Sequence, residues 1–88
     1  MFKSKAPDGT NNLCGKNIKR LRLQHNPPLS QHGLAIKMQL EGYHADNHVI
    51  RRIENGERFV TDIEIQVFHT IFQVPYEELF RPIPNEEE

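Results

Sequence analysis

Helix breakers recur along this chain at intervals that leave room only for short helices. Pro27-Pro28, Gly42, Gly56 and Val74-Pro75 divide residues 13–80 into pieces of no more than 17 residues. Proline has no N–H to donate and disfavours helix at the residue before it, while glycine closes helices by taking positive φ. Within each piece the apolar residues recur at helical spacing: Leu13, Ile18 and Leu21; Leu34, Ala35 and Met38; Ile50 and Ile53; Ile65, Phe68 and Phe72, to which Ile63 and Ile71 can add. Nothing alternates as a strand does. The starts carry their own chemistry. Ser30 and Asp46 are side-chain N-caps, Ala45 and Ile50 stand at the two positions of a weak hydrophobic staple, and Thr61-Asp62-Ile63-Glu64 is a capping box. The reading is all-α: a compact bundle of about five short helices, running 13–24, 31–40, about 46–55, 62–72 and 76–80, the last anchored by Leu79 and Phe80.

Eighty-eight residues make one small domain with a thin core. Residues 1–12, rich in polar residues, are expected to be a flexible tail, and 81–88 a flexible acidic one. No apolar run approaches the roughly 20 residues of a membrane span. The first residues lack the apolar stretch of a secretory signal. The single cysteine, Cys14, cannot form an internal disulfide, so a reducing, cytoplasmic setting is the default expectation.

The net charge of −1 conceals a polarised chain. Residues 1–56 hold nine Lys/Arg against four Asp/Glu, giving +5; residues 57–88 hold two against eight, giving −6. A basic half can meet phosphates while an acidic half faces away. Helix three concentrates the useful groups. Ile50 and Ile53 share one face, and His48, Arg52 and Asn55 point the other way with Arg51 beside them. That is what a major-groove reader needs, and equally what an ordinary solvated helix face looks like.

A longer pattern carries a resemblance that bears on the choice. Gly15-Lys16-Asn17-Ile18-Lys19-Arg20-Leu21-Arg22, then Leu29-Ser30-Gln31 with Leu34-Ala35, then Ile50 with Ile53-Glu54-Asn55-Gly56, then Thr61-Asp62 and Val74-Pro75 with Leu79-Phe80, resemble the Cro/lambda-repressor-type (XRE-like) helix-turn-helix family over about residues 13–80. The sequence departs from that pattern in the Pro27-Pro28 link and in the loop 41–45, which lengthen two connections, in His69, where a small residue is usual, and in Gln73, where glycine is usual.

The resemblance implies sequence-specific binding of double-stranded DNA by a repressor-like transcriptional regulator, with helix three in the major groove. It places Ser30 and Gln31 at the DNA backbone, Asn47 and His48 at base edges, Arg52 on a guanine or a phosphate, Asn55 nearer phosphate, and Arg51 on base, phosphate or water. It also implies an ion pair between Arg22 and Glu54 that orients helix three. One small module has limited reach and half-sites commonly pair, which allows for a homodimer, through helix five with Tyr76 and Phe80. No catalytic set, cofactor or small-molecule site is legible. His44 and His48 have metal-pair spacing, but Asp46 interrupts the helix between them and no cysteine joins them, so no metal is expected. The alternative from another class is a protein-interaction module of the same fold, such as an antitoxin-like partner.

Overall fold

The computed structural model describes residues 9–82. Among them lie five helices and no strand: α1 (Gly15–Gln24), α2 (Gln31–Leu40), α3 (Asn47–Glu54), α4 (Asp62–Phe72) and α5 (Tyr76–Phe80). α3 packs against α2 and α1, and α4 lies against α1, α2 and α5. Ile18, Leu34, Met38, Ile50, Ile53, Phe68 and Leu79 are fully buried where these helices meet. Each helix is too short to persist alone in water, so shared burial holds them.

The caps act where local chemistry places them. Ser30 Oγ accepts from the Gly33 N–H at 2.8 Å, and Asp46 Oδ1 from the Val49 N–H at 3.0 Å. Thr61 and Glu64 form the reciprocal capping box. α3 ends in a Schellman arrangement: the Gly56 N–H donates to the Ile53 carbonyl and the Glu57 N–H to that of Arg52, with Gly56 at φ +77°. Gln73 takes the left-handed position after α4 at φ 55°, where its N–H donates to the His69 carbonyl.

Four features differ from the sequence expectation. α1 begins at Gly15, so Leu13 precedes it and is 58% exposed, while Cys14 turns into the core. Asn12 explains that start: its Oδ1 accepts from the Gly15 N–H at 2.7 Å, and its Nδ2 donates to the carbonyls of Ile53 and Arg58. Residues 10–12, counted with the tail, are therefore tied to the end of α3; of the remaining tail residues, 1–8 and 83–88 lie outside the described residues. On α4, Ile63 is exposed, and the buried neighbour of Phe68 is Glu64. Phe80 is also exposed, leaving Leu79 as the anchor of α5. Buried Asn17 caps that short helix from outside, donating to the carbonyls of Leu79 and Arg81.

The departures at the end of α4 have a local purpose. His69 Nδ1 lies 2.7 Å from the Val74 carbonyl, which can only accept, so Nδ1 carries the proton. The imidazole also stacks on Tyr76 at 4.0 Å between ring centroids. A small residue at 69 would leave that carbonyl and ring uncovered.

Candidate nucleic-acid interface

α3 has a dry back and a wet front. Ile50 and Ile53 are fully buried, while His48, Arg51, Arg52 and Asn55 are exposed and Asn47 is half-buried. Eight helical residues span about 12 Å, comparable to the width of a B-DNA major groove. His48, Arg52 and Asn55 follow one another at one-turn intervals along the front, and Arg51 flanks them.

The end of α3 is fixed by an ionic cluster. Arg22 Nε donates to Glu54 Oε2 at 2.7 Å and Nη2 to Oε1 at 2.9 Å, a two-pronged contact. The pair is nearly dry, with side chains 9% and 3% exposed. Arg22 Nη1 also donates to the Leu29 carbonyl at 2.9 Å, joining the link after α1 to the same point. Gln31 Nε2 completes the cluster by donating to Glu54 Oε1 at 3.1 Å. The start of α2 thus lies beside the end of α3. One proton of the Gln31 amide is committed to Glu54; the other, with the hydroxyl proton of Ser30, can face a ligand.

Two carboxylates bear on α3 in ways that no local sequence signal shows. Glu57 reaches back over the front of α3, with its carboxylate 3.9 Å from Arg52 Nε and 3.4 Å from Asn55 Nδ2. Both contacts are long and exposed, so a phosphate can compete for the same donors. Glu64 is fully buried and accepts from Arg58 Nη1 at 2.8 Å, the Thr61 N–H at 2.9 Å and the Tyr43 hydroxyl at 2.5 Å. Burial alone would raise its carboxyl; hydrogen bonds from Arg58, Tyr43 and the Thr61 N–H outweigh that and hold it below its ordinary range. Bonding to Glu64, with burial and its negative charge adding to the effect, raises the Tyr43 phenol.

Elsewhere the chemistry is quiet. Burial pushes the Cys14 thiol up to about 11, which keeps it protonated and a poor nucleophile. His44 lies before α3, so it and His48 do not share a continuous helix. Among the described residues no group of three or more His, Cys, Asp or Glu can hold a metal ion, and no helix is long and apolar enough to cross a membrane. No protein-family model, curated protein or solved structure matches this chain.

Proposed function

We propose that the chain is a sequence-specific, double-stranded-DNA-binding regulator of the Cro/lambda-repressor type, repressor-like in action, that reads the major groove with α3. One observation carries this reading: an eight-residue helix with Ile50 and Ile53 buried presents His48, Arg51, Arg52 and Asn55 outward from a fixed end. His48 and Arg52 can donate to guanine N7 and O6, and Asn47 can pair with adenine N6 and N7. Ser30 and Gln31, at the start of α2, hold a backbone phosphate, assisted by that helix's N-terminal amides. Arg22 and Glu54 orient the reader without touching bases. No catalysis and no cofactor belong to this reading.

A homodimer would set two such helices about 34 Å apart on one face of the duplex. Tyr76 and Phe80, 45% and 43% exposed at α5, are its proposed contact. The second reading, an antitoxin-like interaction module, is supported by the shallow, open depression that Asp62, Ile63, Ile65, Gln66 and Tyr76 line between α4 and α5. Selection of bound fragments from random duplex DNA, followed by titration at several salt concentrations, separates the two. Retention of one sequence with steep salt dependence supports the reader; no retained duplex at low salt removes it.

A further inference from the structure

A capping box needs only one carboxylate oxygen on one backbone N–H, and a glutamine can supply it. At Glu64 the carboxylate is wholly buried, and burying a charge is unfavourable unless something compensates. Three donors do so, and two come from outside the helix. The Tyr43 hydroxyl binds Oε2, which takes no part in the cap, and Arg58 binds Oε1. Tyr43 lies in the loop that leads into α3, and Arg58 in the loop that leads out of it. Both loops bracketing the short helix are therefore tied to one carboxylate on α4.

We propose that Glu64 is a positioning residue for the reading helix: through Tyr43 and Arg58 it fixes where α3 stands against the rest of the domain. The inference rests on the DNA-reading proposal for its consequence, but not for its geometry. The loop 41–45 is longer than a tight helix-turn-helix connection, and such a loop leaves the helix after it less constrained. Tyr43 supplies the missing constraint. Glu64 touches no base. It acts by keeping His48 and Arg52 in register with the groove, where a displacement of about 1 Å breaks two-pronged hydrogen bonds.

The test is Tyr43→Phe, which removes one hydroxyl and keeps the ring. A hydrogen bond to a carboxylate supports an effect of about tenfold. Well below the melting temperature, the variant should lose about tenfold of its preference for the selected duplex over a scrambled one. Amide exchange at residues 50–54, the hydrogen-bonded amides of α3, should accelerate by a similar factor while α1 and α5 keep their protection. A purely stabilising role would speed exchange in all helices alike and leave the preference intact; that result overturns the proposal, as does no change in either readout. If the wild-type chain prefers no duplex, the DNA reading fails, and exchange at 50–54 alone decides the positioning role. If Tyr43→Phe does not fold, Arg58→Met is read in the same way at the far end of α3. If neither folds, the cluster governs folding and the proposal falls.

Discussion

Gly15→Ala sets two effects of opposite sign against each other. Helix propensity favours alanine by up to about 1 kcal/mol, and less at a first-turn position such as this one. The packing says otherwise. A Cβ on Gly15 would stand 2.2 Å from the Ile53 carbonyl oxygen, 3.2 Å from its carbon and 2.9 Å from Asn12 Oδ1. The oxygen belongs to backbone, so α1 and α3 must separate by about 1 Å to reach ordinary contact. That separation strains the bond from the Gly15 N–H to Asn12 Oδ1 and that from Asn12 Nδ2 to the Ile53 carbonyl. Overpacking costs about 1–3 kcal/mol and the two strained bonds about 1 kcal/mol more, against a propensity gain below 1. The net is a loss of roughly 2 kcal/mol, or about 8–16 °C in melting temperature for a domain of this size. Thermal and urea unfolding followed by circular dichroism measure it. Because Ile53 immediately precedes Glu54, DNA affinity should fall as well. A neutral or stabilised variant would refute the close α1–α3 contact and, with it, the account of how α3 is held.

Three further outcomes follow from the same contacts. Glu54→Ala leaves Arg22 nearly buried without its partner and should destabilise by about 3 kcal/mol; a double-mutant cycle with Arg22→Ala should show coupling of about 2 kcal/mol, and additive losses would mean that the pair contributes nothing jointly. Arg52→Ala, at an exposed position, should leave the melting temperature nearly unchanged while costing roughly 1–3 kcal/mol at the preferred site, whereas Gln31→Ala should weaken specific and scrambled duplexes about equally; equal losses for Arg52→Ala would reduce it to a phosphate contact. In the folded chain Glu64 holds its proton less tightly than in the unfolded chain, so its stabilisation is complete above the ordinary glutamate range, near pH 4.3, and is lost as pH falls through the folded value. Tyr43 is raised, so its share persists below about pH 10 and is lost as pH rises through the folded value. Urea midpoints measured across pH should show both limbs, and Glu64→Gln should shrink the acid one; an unchanged acid limb would contradict the cluster.

What was legible in the sequence was local. Ser30, Asp46 and the Thr61–Glu64 box mark helix starts because a cap bonds within three residues of itself, and Gly56 marks an end because its φ is positive. Proline placement and apolar spacing were enough for an all-α bundle. What escaped was long-range. Glu64 reads as a cap, yet its burial depends on Tyr43, twenty-one residues away. Asn12 reads as tail, yet it joins α1 to the far end of α3. Gln31 reads as a residue facing DNA, and half of its amide proves to serve Glu54. No periodicity announces such pairings, since they arise only once distant segments are packed. Glu57 carries no signal for a different reason: it lies three residues beyond the helix that it folds back to cover.

Whether α3 reads duplex DNA is decided most directly by the affinity for a selected duplex and for a scrambled one over a series of salt concentrations. A groove-reading α3 should give a clear preference for the selected duplex. For both duplexes, the logarithm of affinity should fall linearly with that of salt concentration, with a slope of about −0.9 per phosphate contacted. Arg52→Ala should narrow the preference between the two. Equal and weak binding of both duplexes, indifferent to Arg52→Ala, would contradict a groove-reading role for α3.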